Sequence, residues 1–114
     1  MVRPWLCITG ISVIEDLGEE LAMGVDSGVL IVQVIPGSPP DQAGLRGGSR
    51  EVVLRSVRFL IGGDVITSVI GRIVRDMNRL IAYLNRLDTG KRITIRVYRD
   101  RTPMELTVLL AEKP

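Results

Sequence analysis

The sequence predicts a small α+β domain, an antiparallel β-barrel or sandwich of five to seven short strands with one short and one long helix. Short apolar runs recur along the chain and are separated by turn-forming residues, which is typical of many short strands. Only residues 76–87 show the 3.6-residue period of an amphipathic helix. With 114 residues, 46% of them hydrophobic and 25% charged, the chain has the composition of one globular domain.

Two strands are predicted near the N-terminus. Residues 5–13 alternate apolar and small side chains, which indicates a strand. The acidic stretch at residues 14–23 is expected to be a loop or a short helical turn. Residues 29–35 are almost continuously apolar, so we expect a strand that is buried on both faces.

A short helix is predicted after Pro36. Ser38 is expected to cap it, with Pro39 at its first position and Asp41 in its first turn, and the helix is expected to reach Leu45. Three further strands should follow. Residues 51–54 and 57–61 are predicted to form a hairpin around Arg55-Ser56, and residues 64–70 a strand that ends at Gly71.

The long helix is the clearest local prediction. Its apolar side chains lie on one stripe, formed by Met77, Leu80, Ile81, Leu84 and Leu87. Asp76 is expected to cap this helix, and Asp88-Thr89-Gly90 to end it. Two final strands, residues 92–99 and 104–110, alternate apolar and polar side chains and are expected to join through a tight turn at residues 100–103.

The residue inventory excludes most familiar catalytic sites. The chain has no His, which is the usual general base of Ser and Cys hydrolases and a common metal ligand. Its single Cys, Cys7, can form neither an internal disulfide nor a Cys-based zinc site. We therefore expect no catalytic residue, no metal site and no cofactor in this chain.

Composition also argues against nucleic-acid and membrane functions. The net charge is +2, and acidic residues lie among the scattered arginines, as at Arg75-Asp76, so no basic patch is predicted. No apolar run approaches the roughly 18 residues of a membrane-spanning helix. The N-terminal residues lack the apolar segment of a signal peptide. We expect neither nucleic-acid binding nor membrane insertion by this segment.

In chain order come residues 5–8, residues 37–45, residues 63–66 with Gly71, and the helix at 76–87, and these four stretches together resemble PDZ domains. Trp5-Leu6-Cys7-Ile8 resembles the loop that binds a peptide carboxylate. Gly37–Leu45 is similar to the short-helix motif GSPAxxAGL, and Gly63-Asp64-Val65-Ile66 followed by Gly71 is similar to GDVIxxxxG. The helix at 76–87 falls where the family has its groove-lining helix. A final strand in place of a leading one is similar to the permuted bacterial form, found in HtrA/Deg-like, trypsin-like serine proteases.

The resemblance covers nearly the whole chain and implies one PDZ domain over residues 1–114. The chain departs from the family pattern at three places. Cys7 stands where Gly is usual, and Ile70 where Asp or Asn is frequent. Residues 49–63 are predicted to be an inserted β-hairpin between elements that are often adjacent.

The resemblance also implies a peptide site. Backbone amides of the N-terminal loop would surround a terminal carboxylate, and the strand Ile8–Val13 would pair with an extended peptide. The expected peptide-binding residues are Leu6, Cys7, Ile8, Thr9, Gly10, Ile11, Met77, Ile81 and Leu84.

Within that set, different residues have different expected roles. The pocket for the last peptide side chain would be lined by Leu6, Ile8, Ile81 and Leu84, and Met77 would face the side chain two positions earlier. Leu80 is expected in the core, whereas Ile81 and Leu84 could serve both core and groove. Gly10 in a strand interior indicates the close approach of another backbone, which an added peptide strand would supply. Asp64 is expected to cap a turn through its own backbone.

The implied function is a module that captures C-terminal or extended hydrophobic peptide ends by β-augmentation. It would serve substrate recognition and regulation in a parent HtrA-type serine endopeptidase. The expected partners are peptide or unfolded-protein C-termini with an apolar last residue, and the protease domain of the parent, in the bacterial periplasm or cell envelope. The alternative is a PDZ module of another envelope protein, namely a processing protease, a membrane metalloprotease or a secretion component.

Overall fold

The computed structural model describes residues 4–5, 8–13, 27–54, 56–87, 90–99 and 101–112. The elements of these residues are, in chain order, β1 (Pro4–Trp5), β2 (Ile8–Val13), β3 (Gly28–Val34), α1 (Pro39–Ala43), β4 (Arg50–Leu54), β5 (Val57–Ile61), β6 (Val65–Val69), β7 (Arg72–Ile73), α2 (Met77–Leu84), β8 (Arg92–Arg99), β9 (Thr102–Leu109) and β10 (Ala111–Glu112).

One antiparallel sheet organises these elements. Its strands follow the order β2-β3-β6-β8-β9, and β7 pairs with the end of β6. Two smaller antiparallel pairs, β1 with β10 and β4 with β5, stand beside it. The predicted class, an antiparallel α+β fold with one short and one long helix, is confirmed.

The main core lies between this sheet and α2. Alternation along β8 places Ile93, Ile95 and Val97 on the buried face, each no more than 2% exposed. Leu80 and Leu84 of α2 belong to the same buried cluster. The alternation predicted for this strand is therefore confirmed, and it fixes α2 against the sheet.

A second, smaller core lies on the opposite face of the sheet. It contains Val13, Leu30 and Val65, together with Ile61 of the β4–β5 hairpin. The strand β3 contributes to both cores, because neighbouring side chains of a strand point to opposite faces. Residues 29–31 are at most 1% exposed, so the predicted two-sided burial of β3 is confirmed for that stretch.

The long helix α2 begins as predicted and ends earlier. The Asp76 carboxylate accepts a hydrogen bond of 2.8 Å from the backbone N–H of Arg79, which confirms the predicted cap. The helix ends at Leu84, because the amides of Arg86 and Leu87 bond to carbonyls only three residues back. The predicted exit at residues 88 and 89 lies outside the described residues.

The short helix α1 differs from the prediction at its start. Ser38 occupies the cap position, but its hydroxyl donates to the carbonyl of Ile35 and makes no bond to the helix. The Asp41 carboxylate instead accepts a hydrogen bond of 2.8 Å from the N–H of Gly37. The predicted position of Ser38 at the N-cap is therefore confirmed, but its side chain stabilises the preceding turn and does not bond to the first amides of the helix.

The end of α1 also differs from the prediction. The helix stops at Ala43 rather than at Leu45. Gly44 adopts a φ of 97°, the left-handed conformation that Gly tolerates and that ends many helices. Its N–H bonds to the carbonyl of Asp41 at 3.1 Å.

The predicted N-terminal strand divides between two sheets. Trp5 pairs with Ala111 in the small β1–β10 sheet, whereas Ile8 pairs with Val34 in the main sheet. The prediction of one continuous strand over 5–13 was therefore wrong, because β1 pairs with β10, a strand near the C-terminus. Alternation within residues 5–13 cannot reveal such a distant partner. The predicted acidic loop at 14–23 lies outside the described residues.

Turns explain the remaining differences. After Val69 the chain turns back through Ile70 and Gly71, and β7 forms a short ladder with β6 that the sequence did not predict. The β8–β9 turn is tighter than expected, since Thr102 and Pro103 belong to β9. A proline is tolerated in β9 because this strand lies at an end of the sheet.

The hairpin between α1 and β6 is confirmed. Its strands β4 and β5 pair from Arg50 opposite Ile61 to Leu54 opposite Val57, so only two residues join them. The segment just before the hairpin is tied to the main sheet, since the N–H of Gly48 donates to the carbonyl of Val32 at 2.9 Å. Whether it is an insertion relative to other family members stays a prediction.

Candidate functional site

The candidate site is a groove between β2 and α2, here called the β2–α2 groove. Among the described residues, β2 pairs with β3 alone, so its other edge is a row of backbone groups without a strand partner. The N-terminus of α2 lies beside this edge, because the N–H of Met77 donates to the hydroxyl of Ser12 at 2.9 Å. A polypeptide could add to the edge and contact the helix at the same time.

The pleat of β2 separates two sets of side chains. Ile8 packs against the main core, and a β-carbon built on Gly10 would lie 3.7 Å from the sulfur of Met77, so these positions face α2. Ile11 and Val13 pack into the second core on the other face. The side chain of Ile11 is therefore remote from the groove, and only its backbone is available at the β2 edge.

The residues of α2 differ in how much surface they leave open. Leu80 is 1% exposed, as expected for a core residue, and Leu84 is 6% exposed. Ile81 is 43% exposed, and Met77 is half-buried against the core. Ile81 is thus the apolar side chain of α2 with the most free surface among the four, whereas Leu84 is mainly a core residue.

Gly10 is required by packing inside the domain. A β-carbon at this position would lie 2.6 Å from Cγ1 of Val29, a fully buried side chain of the neighbouring strand. The pairing between β2 and β3 also shifts register between Thr9 and Gly10, so that β3 carries one extra residue there. The close approach that the sequence indicated is made by β3, and an incoming strand is not needed to explain Gly10.

Ser12 is a site residue whose role the sequence did not reveal. Its hydroxyl accepts the N–H of Met77, one of the first amides of α2, which has no partner within the helix. This bond fixes the distance between β2 and α2 at one end of the groove. The sequence signal for this role was spacing: Ile8, Gly10 and Ser12 are every second residue of the strand and therefore lie on the same face.

Part of the predicted site lies outside the described residues. Leu6 and Cys7, expected to line the pocket and to supply backbone donors for a carboxylate, belong to this part of the chain. Thr9 is described and exposed, next to the register shift in β2. The described part of the site therefore comprises the β2 strand and the groove face of α2.

Asp64 anchors loops around the sheet instead of capping its own turn. Its fully buried carboxylate accepts two bonds of 2.8 Å from the guanidinium of Arg99 and one of 3.1 Å from the N–H of Arg46. Arg99 also donates to the carbonyl of Gly44. The predicted local cap was wrong, because Asp64 has charged and backbone partners distant in sequence. A buried carboxylate paired in this way has a structural role.

The described residues form neither a cluster suited to a metal ion nor a helix suited to span a membrane. Among the described residues, no group of three or more His, Cys, Asp or Glu side chains lies close enough together to bind a metal ion. Neither of the two described helices combines the length and the apolar character that crossing a membrane requires.

Comparison with known proteins identifies the architecture. A family model for the PDZ domain matches residues 10–110. Among curated proteins, Protease Do-like 1, chloroplastic, of Arabidopsis thaliana is 35% identical over 107 residues, which are 94% of this chain and 23% of that protein. A probable periplasmic serine endoprotease DegP-like of Hahella chejuensis is 29% identical over 112 residues, 98% of this chain and 21% of that protein. The chain thus spans less than a quarter of the length of these relatives.

Solved structures show the same fold. The HtrA-type protease AlgW, solved with a decapeptide, superposes with a TM-score of 0.74 at 24% identity over 99% of this chain and 30% of that one. The HtrA3 PDZ domain, solved with a phage-derived ligand, gives a TM-score of 0.71 at 18% identity over 99% of this chain and 89% of that one. At these identities the two likenesses establish the fold alone.

Proposed function

This chain belongs to the PDZ domain family, and we propose that it is a peptide-binding module that captures C-terminal or extended hydrophobic peptide ends by β-augmentation. One observation supports this proposal above all. The edge of β2 has no strand partner among the described residues, and the apolar face of α2 runs beside it. We infer that the family relationship extends over residues 1–114, with residues 49–63 as an inserted hairpin.

The backbone of β2 provides the affinity in this proposal. An extended peptide would lie antiparallel to β2 and satisfy the free N–H and C=O groups of that edge. Ile8, Thr9, Gly10 and Ile11 take part through their main chain. This requirement explains how Ile11 can belong to the site while its side chain packs into the second core.

A terminal carboxylate would be held where β2 begins. The amides of Leu6, Cys7 and Ile8 are the proposed donors, because successive N–H groups of a loop form a concavity that attracts anions. Cys7 would act there through its backbone N–H. The carboxylate requirement distinguishes capture of a chain end from addition of an internal segment.

Apolar side chains would select the peptide. Ile81, which is 43% exposed, is the main proposed contact of the last peptide residue, together with Leu6, Ile8 and the small exposed part of Leu84. Met77, at the other end of α2, would face the side chain two positions before the terminus. We therefore propose an apolar last residue and a weaker preference for an apolar residue two positions earlier.

The parent protein of the module is proposed from the relatives. Curated relatives named as Do-like and DegP-like proteases match almost the whole chain, and one kind is named as periplasmic. We propose a parent HtrA-type serine endopeptidase of the periplasm or cell envelope, in which this domain binds substrates and regulates proteolysis. The absence of His from the 114 residues supports the further proposal that the domain hydrolyses no peptide bond by itself.

Calorimetry with matched peptides tests the proposed function. An apolar-ended peptide should bind the 114-residue chain with a dissociation constant on the order of micromolar, as expected for a small interface. Its C-terminally amidated twin should bind at least about tenfold more weakly, because the charge-assisted bonds to the carboxylate are lost. A second control replaces the last apolar residue by Asp. Equal binding of the free and amidated peptides would refute capture of a chain end.

A further inference from the structure

A second apolar cleft lies on the flank of α2 that faces away from β2. It has a volume of about 220 Å³ and is here called the α2–β6 cleft. Its lining residues come from β6, from the β6–β7 turn and β7, and from the end of α2 and the turn after it, and are Val69, Ile70, Arg72, Tyr83, Arg86 and Leu87. Met77, whose sulfur lies near Gly10 of β2, does not line it, and neither does Ile81. The helix thus separates two concave surfaces.

Ile70 adopts a backbone conformation that its side chain disfavours. Its φ is 49°, and that of Gly71 is 74°, so both residues of the β6–β7 turn are left-handed. Turns of this kind favour Asn, Asp and Gly, and a β-branched residue is rare there. Ile70 is nevertheless 50% exposed, so burial does not explain its presence. Packing inside the domain therefore does not account for a strained apolar residue here, and Ile70 is free to contribute its side chain to the wall of the cleft.

The cleft also carries positive charge in a fixed position. The guanidinium of Arg72 lies 5.8 Å from the ring centre of Tyr83, within the range of a cation–π contact. A guanidinium has five N–H donors, so Arg72 can contact the ring and still bind a carboxylate. Arg86 lies on the same cleft, and among the described residues neither arginine forms an ion pair. The described lining contains no acidic residue.

We propose that the α2–β6 cleft is a second binding site, for an acidic polypeptide segment of a separate partner protein that inserts one apolar side chain between Ile70 and Leu87. Its carboxylates would pair with Arg72 and Arg86. The apolar walls argue against a small inorganic anion as the ligand, and the two guanidinium groups argue against a purely apolar one. The site is independent of the β2–α2 groove, so both surfaces can be occupied together.

A titration of the isotope-labelled 114-residue chain, followed by NMR, tests this proposal. The probe is a nine-residue peptide with both ends blocked, in which a central Leu is flanked by Glu and Asp. Blocking the C-terminus removes the carboxylate on which the groove depends. Amide shifts are expected at Ile70, Arg72 and Leu87. A matched peptide with Lys in place of each acidic residue should bind roughly tenfold more weakly, and added salt should weaken the acidic peptide.

Two variants separate binding from folding. Ile70→Asn should bind the acidic peptide roughly tenfold more weakly, since the apolar contact is lost. Its thermal midpoint should stay the same or rise, because Asn tolerates the left-handed conformation. Arg72→Gln should weaken binding about two- to fivefold, as expected for an exposed ion pair. The matched control is Arg96→Gln, an exposed arginine of β8 that does not line the cleft.

Other outcomes would overturn the proposal. Equal affinity for the acidic and the Lys-containing peptides would show that only the apolar side chain contributes to binding and that Arg72 and Arg86 do not recognise carboxylates. Shifts confined to residues 8–13 would show that the probe enters the groove. Concentration-dependent shifts at residues 70–73 without any peptide would show that a second copy of this chain covers the cleft. Failure of the free chain-end peptide to bind the groove would contradict the proposed function and leave the cleft titration unaffected.

Discussion

The two flanks of α2 offer different chemistry to a ligand. On the β2 side the open surface is a strand edge, and the side chains around it are small or apolar, as at Gly10 and Ser12. On the β6 side, the last turn of α2 faces side chains, among them Arg72, whose guanidinium lies 5.8 Å from the ring centre of Tyr83. The first flank presents backbone hydrogen-bonding groups, whereas the second presents an apolar cleft with two guanidinium groups.

In the proposed account, one amphipathic helix contributes to two binding surfaces. Leu80 and Leu84 fix α2 to the core. Between them in the helix, Ile81 is exposed and Tyr83 lines the α2–β6 cleft. A strand edge can pair with any extended chain, so in the proposed function the selectivity comes from the chain end and from Ile81. A cleft built from side chains recognises charge and shape, and tolerates less variation in the ligand.

The largest expected effect comes from shortening Leu80, the buried side chain that holds α2 against the core and so supports both surfaces beside the helix. Leu80→Ala should lower the free energy of unfolding by ~2–5 kcal/mol, because the side chain is fully buried and leaves a cavity. Both peptide sites should weaken together as the folded fraction falls. Chemical denaturation measures the loss. Leu109→Ala, the same substitution at a residue that is 40% exposed, is the control and should cost far less. Equal losses in the two variants would contradict this position of the helix.

A smaller effect, confined to one flank, is expected from Gly10→Ala. The added β-carbon would lie 2.6 Å from Cγ1 of Val29, so β2 must move away from β3. We expect a loss of about 1–3 kcal/mol in stability from overpacking, and weaker binding of a chain-end peptide. Thr9→Ala, at the exposed neighbouring position, should change neither quantity much. Unchanged binding in folded Gly10→Ala would show that the β2 edge is not the peptide site.

Ile81→Ala should have the smallest effect on the free energy of unfolding and still weaken peptide binding clearly. Ile81→Ala removes a side chain that is 43% exposed, so stability should fall by less than about 1–2 kcal/mol. The dissociation constant of an apolar-ended peptide should rise roughly tenfold. Leu84→Ala should show the opposite balance, with a larger loss of stability. Ile73→Ala, at an exposed residue away from the groove, is the matched control. A variant of Ile81 that unfolds while each folded molecule binds normally would contradict the groove.

Periodicity in the sequence predicted the elements that build the core. The stripe of α2 and the alternation of β8 depend on local spacing, and both agree with the structure. The Asp76 cap was also local and is confirmed. These features could be predicted because neighbouring residues alone determine which side of an element is apolar.

Features that depend on distant partners could not be predicted in this way. β1 pairs with the C-terminal β10, and Asp64 pairs with Arg99, 35 residues away. The β6–β7 turn was missed because Ile70 is unfavourable in a left-handed turn, so local propensity favoured a continued strand. For the site, resemblance indicated the residues of α2, while the division between core and free surface became visible only once burial was known.

The central claim is that a peptide adds to β2 as an extra strand, and distances between bound peptide and protein test it most directly. The measurement is isotope-filtered NMR on the labelled 114-residue chain with an unlabelled apolar-ended peptide. We predict short contacts between the backbone protons of the peptide and those of residues 8–13, together with contacts from the last peptide side chain to Ile81. Contacts confined to residues 70–73, or to the β4–β5 hairpin, with none to β2, would contradict the account.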